Sequence, residues 1–243
     1  MPPSHVPTLG VLMLDTRFPR LPGDIGNPAS VDMKTLYHTV AGADVARVVT
    51  CAEVDPALLG PFVDGARDLE RRGATLMTTS CGFLSVFQND LAAAVDVPVI
   101  ASSLLLVPVL ARMLAPGRPV GIVTANSETL SPVHLAAAGI ASPVVICGIE
   151  GGRELPRALL QPKARQATTI DPEAATRDVI AACRRMLGAN PGIGAIVFEC
   201  TNLQPYADAV RDRFGLPVFG LVDAIRLFHP HAVPGVKNPG PAR

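Results

Sequence analysis

Thr78-Thr79-Ser80-Cys81-Gly82-Phe83 and Phe198-Glu199-Cys200-Thr201-Asn202 are the two stretches on which the reading of this chain turns. Each follows a short apolar run of the kind a buried strand needs: Ala74-Thr75-Leu76-Met77 in the first case, Ile193-Gly194-Ala195-Ile196-Val197 in the second. Each precedes residues with helical apolar spacing. A cysteine therefore stands twice at a turn from strand to helix. In parallel α/β sheets the carboxyl ends of the strands open onto the ligand crevice, and a helix N-terminus favours thiolate over thiol. One such cysteine suggests a nucleophile. Two, one in each half of the chain, suggest an acid/base pair facing one small substrate.

Working outward, Thr8 to Leu14 reads as a first buried strand, ending in Asp15-Thr16-Arg17. The loop Pro19-Arg20-Leu21-Pro22-Gly23-Asp24-Ile25-Gly26-Asn27-Pro28 holds too many breakers for a helix and lies where an active-site loop belongs. A helix is predicted from Asp32 to Val40 and a strand over Val45 to Val49, followed by Cys51. Asp55-Pro56 and Asp171-Pro172 read as capped helix starts. Strands are predicted at Pro98–Ala101, Pro119–Val123, Pro143–Cys147 and Leu216–Phe219, with helices after Ser102 and Gln204, over Leu155–Leu160, and from Val222 to Phe228. The alternation implies an α/β fold of two comparable lobes, each a mostly parallel sheet flanked by helices. The expected division is 1–102 plus 215–243 for the first lobe and 103–214 for the second.

About half of the 243 residues are apolar, enough for a substantial core, and 21 acidic residues balance 21 basic ones. That balance gives no broad surface for nucleic acid or anionic membrane. No secretory signal and no run long enough to span a bilayer is visible. Five cysteines without a CxxC pair fit free thiols in a reducing cytoplasm. His229 and His231 flank Pro230 without a third ligand nearby, so no metal is expected, and no cofactor. A homo-oligomer is neither indicated nor excluded.

Cys-Gly after an early strand and Cys-Thr-Asn after a late one together resemble the aspartate/glutamate/hydantoin racemase superfamily, over Leu9 to about Leu227. The resemblance implies a pseudo-twofold pair of lobes with the active site between them and the last segment returning to the first lobe. It implies a cofactor-independent racemase or epimerase of an amino acid or related carboxylic acid, with Cys81 and Cys200 as thiolate base and thiol acid on opposite faces of the α-carbon. By matching position, Asp15 and Arg17 after the first strand, and Thr124 and Asn126 after its counterpart, fall where the family binds substrate. Thr124 and Asn126 are favoured over Asp15.

From the residues themselves, Thr79, Ser80, Thr201 and Asn202, with backbone N–H groups at Gly82 and Thr201, are candidate donors to a substrate carboxylate. Arg17 is either a carboxylate partner or a solvated side chain. Glu199 tunes the adjacent thiol, binds an ammonium group or makes a structural hydrogen bond. Cys147 and Cys183 read as small core residues; Cys51 is ambiguous, and His134 reads as a packed or exposed histidine.

The sequence departs from glutamate racemases in having Asp15-Thr16-Arg17 rather than Asp-Ser-Gly, and Cys200-Thr201-Asn202 rather than Cys-Thr-His. Alternatives on the same fold are a maleate isomerase-like enzyme, an arylmalonate decarboxylase-like enzyme (disfavoured by retention of both cysteines) and a hydantoin racemase. A non-catalytic two-lobed binding protein is the reading from another class.

Overall fold

The computed structural model describes residues 7–50 and 54–228; Cys51, His229 and His231 lie outside them. The first half contains β1 (Thr8–Leu14), β2 (Lys34–Val40), α1 (Val45–Val48), α2 (Leu59–Arg71), β3 (Leu76–Thr79), α3 (Gln88–Ala94), β4 (Val99–Ile100) and α4 (Val107–Met113). The second contains β5 (Val120–Thr124), α5 (Pro132–Ala137), β6 (Val144–Gly148), α6 (Glu154–Leu159), α7 (Pro172–Ala189), β7 (Ala195–Phe198), α8 (Ala207–Phe214), β8 (Val218–Phe219) and α9 (Leu221–Phe228). The strands form two four-stranded parallel sheets of matching order, β2-β1-β3-β4 and β6-β5-β7-β8. Helices flank both sheets, as an all-parallel arrangement requires.

The central strands are apolar because both their faces are covered. Leu9, Val11, Leu12 and Met77 in one sheet, and Ile122, Val123, Ile196 and Val197 in the other, are fully enclosed. Local signals fix several helix starts. Asp55 accepts from the Ala57 N–H at 2.9 Å, Ser102 from Leu104 at 3.2 Å, and Asp171 from Glu173 and Ala174 at 3.0 and 3.2 Å. Asp171 opens the 18-residue α7, which lies along the second sheet. Asp171→Ala therefore costs about 1 kcal/mol in a urea titration, the usual value of a lost cap.

Two early elements exchange identity. Lys34–Val40, expected as helix, is β2; Val45–Val49, expected as strand, contains the single turn α1. β2 sits at a sheet edge and pairs only with β1. Its half-exposed faces give no continuous apolar run, yet its Thr, Tyr and Val residues suit a pleated strand. Asp44 caps α1, accepting from the Arg47 N–H at 3.1 Å, and turns Val48 into the core.

Residues 215–228 divide between the lobes. β8 extends the second sheet, while Leu221, Val222, Ala224 and Ile225 of α9 join the first core with Leu104 and Leu106. No helix among the described residues is long and apolar enough to cross a membrane.

Candidate active site

The two cysteines occupy equivalent places in the two sheets. The Ser80 N–H donates to the Leu12 carbonyl of β1 at 2.9 Å, and the Glu199 N–H to the Val123 carbonyl of β5 at 2.9 Å. After each cysteine the chain tightens into a 3-10 turn, Leu84 N–H to Cys81 O at 3.1 Å and Leu203 N–H to Cys200 O at 3.0 Å. Each sulfur thus stands at the carboxyl end of a central strand, with a backbone N–H two residues on directed at it, from Phe83 and Asn202 respectively.

The lobes meet over these turns. Thr201 Oγ1 donates to Ser80 O at 2.9 Å and Ser103 Oγ to Phe198 O at 2.7 Å. Gly82 lies so close to Glu199 that an added Cβ would be 2.3 Å from Oε1 and 2.5 Å from the carbonyl oxygen. Between the lobes is a narrow, partly open cavity of about 30 Å³. Cys81 and Cys200 both line it. Phe18, Val45, Val49, Phe83, Leu159 and Leu160 make apolar wall; Arg20, Ser80, Glu199 and Asn202 supply polarity.

The expected binding residues divide into two groups. Ser80 and Asn202 line the cavity, whereas Asp15, Arg17, Thr79, Gly82, Thr124, Asn126 and Thr201 support its frame or lie outside it. Ser80 Oγ accepts from the Leu14 N–H at 2.9 Å. Thr79 Oγ1 donates to the carbonyls of Ala101 and Cys81 at 2.7 and 2.9 Å. Asp15 pairs with Lys163, and the Arg17 N–H donates to Gln166 Oε1 at 2.8 Å, so the stretch after β1 is clipped to the second lobe. The Arg17 side chain is exposed. Asn126 Oδ1 accepts from the Glu128 N–H at 3.0 Å, closing its own turn. Thr124 Oγ1 donates to Glu199 Oε2 at 2.7 Å.

Sequence reasoning marked the loop after β1 as a candidate active-site loop but did not single out Arg20 and Asp24 within it. Arg20 faces the cavity over the Phe18 ring, 4.6 Å from its centroid, and bonds Thr16 Oγ1 at 3.2 Å and Asp24 at 3.3 Å. Asp24 is buried. The only signal available was the charge inside a breaker-rich loop. Cys147 and Cys183 sit away from the cavity, Cys183 fully enclosed. His134 is buried, its ring edge-on to Phe83 at 4.8 Å and its Nδ1 engaged by the Ser131 cap.

Electrostatics reverses one expectation. A strand-to-helix turn was expected to bring the thiols down toward neutral pH. Instead burial pushes both Cys81 and Cys200 up, and the Glu199 carboxylate adds to it; the nearby Arg20 works the other way on Cys81. Desolvation outweighs two backbone donors.

Glu199 is fully buried, Oε1 has no partner, and burial raises its pKa from 4.5 to about 7 against the Thr124 bond. Its folded value lies above its unfolded one, so between pH 4.5 and 7 the folded state holds a proton that the unfolded chain has lost. Stability consequently falls as pH rises through that window, by on the order of 3 kcal/mol. Glu199→Gln removes this component. Urea titrations at pH 4.5 and pH 8 should show the wild type losing more stability across the interval than the variant, and equal losses would contradict the assignment.

A family model described as Asp/Glu/Hydantoin racemase matches residues 29–226. Dimethylsulfoniopropionate lyase of Durusdinium sp. clade D is 29% identical over 231 residues, covering 91% of this chain and 73% of that protein. Dimethylsulfoniopropionate lyase 3 of Emiliania huxleyi (strain CCMP1516) is 30% identical over 220 residues, covering 88% of this chain and 56% of its own. Among solved structures, unliganded arylmalonate decarboxylase aligns with TM-score 0.57 at 20% identity over 98% of this chain and 97% of that one. Allantoin racemase from Klebsiella pneumoniae aligns with TM-score 0.56 at 17% identity over 90% of this chain and 84% of that one. These structural likenesses establish a shared two-lobed α/β fold.

Proposed function

Since the chain belongs to the Asp/Glu/Hydantoin racemase family, we propose that it is a cofactor-independent enzyme that removes the α-proton of a small carboxylate between Cys81 and Cys200. The observation that carries this reading is the pair of thiols, one from each lobe, lining one cavity. Burial makes each a poor acid, so the substrate itself must help to form the thiolate.

The surrounding charges favour a substrate that carries a cation. Glu199 and Asp24 are buried beside the thiols, and Arg20 is a cation of the cavity wall that bears on Cys81. A zwitterion would set its carboxylate against Arg20 in a charge-assisted pair. Its positive end would then offset Glu199 and favour the thiolate. Ser80 Oγ and the Asn202 amide would orient the carboxylate as charge develops on it. Thr124 and Thr201 would hold Glu199 and the interlobe turn in place. No role in substrate contact is proposed for Asp15, Arg17, Thr79 or Asn126, and Gly82 contributes by close approach.

Likeness to the dimethylsulfoniopropionate lyases over most of the chain supports one such zwitterion, a β-dimethylsulfonio carboxylate. A thiolate takes the α-proton, the C–H pair becomes the new C=C bond, and the β C–S bond breaks with its pair leaving on sulfur. The products are dimethyl sulfide, acrylate and a thiol that returns its proton to solvent. A second reading, racemisation of an amino acid, is favoured by the equivalent placement of the thiols on corresponding strand ends; there the second thiol reprotonates the opposite face.

The test is to incubate the protein with dimethylsulfoniopropionate, measuring headspace dimethyl sulfide and acrylate by NMR. A parallel panel of amino acids in deuterated solvent is followed for loss of the α-proton signal. Equal release of dimethyl sulfide and acrylate is the expected result. Exchange of an amino acid without sulfide release selects racemisation, and inertness to the whole panel overturns both.

A further inference from the structure

The Asn202 amide has one orientation open to it, and that orientation distinguishes the two cysteines. Asp24 accepts from the Gly26 N–H at 2.6 Å, from Arg20 at 3.3 Å and from Asn202 Nδ2. An ion-paired carboxylate only accepts hydrogen bonds, so Asn202 must turn its NH2 group to Asp24. Its Oδ1 is then left facing Cys200, 3.7 Å from Sγ. A carbonyl oxygen there accepts an S–H and repels a thiolate.

The remaining surroundings point the same way. The backbone donors from Phe83 and Asn202 match one another, and Glu199 bears on both sulfurs. The groups that differ are Arg20, which faces Cys81, and Asp24, which faces Cys200. The Tyr206 phenol lies near Asp24 and Cys200, and burial keeps it protonated. At the position preceding the cysteine, the first lobe carries neutral Ser80 and the second Glu199.

We infer that Asp24, acting through the Asn202 amide, holds Cys200 as the thiol and leaves Cys81 as the thiolate base. This rests on the reading of the cavity as an α-proton site. Asp24 is a positioning residue: it belongs to the loop after β1 in one lobe and reaches the second cysteine of the other. Gly23, at φ +101 and with an added Cβ 3.0 Å from Pro205 Cα, lets that loop lie against the Asn202 turn. The proton is therefore taken from the substrate face turned to Cys81.

The test needs no turnover. Iodoacetamide alkylation of each cysteine is followed by peptide mass spectrometry across pH 6–10 without substrate, and the alkylation rate at each pH is read for each sulfur. Cys81 should react faster than Cys200 at every pH. In Asp24→Asn the residue at 24 can donate, so the Asn202 amide is free to turn its NH2 toward Cys200. The Cys200 rate should then rise about tenfold, with Cys81 unchanged. Asn202→Ala removes the acceptor while the Gly26 and Arg20 bonds to Asp24 stay in place, and should shift Cys200 in the same direction, which keeps the test available if Asp24→Asn does not fold.

Faster alkylation of Cys200 than of Cys81 in the wild type, or unchanged rates in the folded variants, overturns the assignment. If the asymmetry holds and no dimethyl sulfide is released, the reaction is wrong and the assignment stands. Release without asymmetry has the opposite meaning.

Discussion

Cys81→Ser lowers turnover by about 10³-fold, near the middle of the range for loss of a positioned general base. Serine matches cysteine in shape, so the cavity and the turn after β3 are retained, but its hydroxyl does not ionise near neutral pH. Circular dichroism and the urea midpoint should stay close to wild type while kcat collapses. Cys200→Ser separates the two reactions. Racemisation needs a proton donor on the second face and falls to a similar degree, whereas elimination ends with loss of the leaving group and falls less. Exchange of the α-proton with deuterated solvent, followed by NMR, reports the base directly. Wild-type exchange in Cys81→Ser would remove Cys81 as the base; the other cavity-lining groups able to take its place are Cys200 and buried Glu199, and Cys81→Ser/Cys200→Ser and Cys81→Ser/Glu199→Gln test those substitutes.

Gly82→Ala adds a single methyl group and should cost more activity than stability. The new Cβ would lie 2.3 Å from Glu199 Oε1 and 2.5 Å from the Glu199 carbonyl oxygen. The second contact is backbone at the head of the turn that carries Cys200, so it cannot be relieved by a rotamer change. Overpacking of this kind costs about 1–3 kcal/mol. Relief requires the two lobes to move apart, and a displacement of about 1 Å between catalytic groups costs roughly 10²-fold in rate. Activity should therefore fall much further than the melting temperature. Gly60→Ala, in α2 with nothing within 4 Å of its added Cβ, is the matched control and should be neutral or slightly stabilising. Wild-type kcat/KM in Gly82→Ala would show that the close contact between the lobes does not set the site.

Much of the architecture was legible because its signals are local. The buried strands that became β1, β3, β5 and β7 are short apolar runs, and the caps at Asp55 and Asp171, each followed by proline, announce helices without help from elsewhere. β2 and α1 were misread for the complementary reason. An edge strand with two half-exposed faces and a one-turn helix carry weak periodicity, and the neighbour that decides them, β1, is remote in sequence. Residues 215 onward were expected as one unit, but β8 follows its pairing with β7 and α9 follows its apolar face into the first core.

By itself the sequence determined the alternation of strand and helix, the placing of one cysteine at a strand end in each half, and the family resemblance those motifs carry. The tertiary structure alone decided which polar groups reach the sulfurs. Asp24 meets Asn202 across the interlobe cleft, and Thr124 meets Glu199 across paired strands. Glu199 becomes a buried acid with an unpartnered oxygen because Gly82 of the opposite lobe closes over it. Charge state depends on burial and on partners far away along the chain, whereas periodicity and capping depend on neighbours within a few residues. The thiols' positions were therefore readable from the chain, and their proton affinities were not.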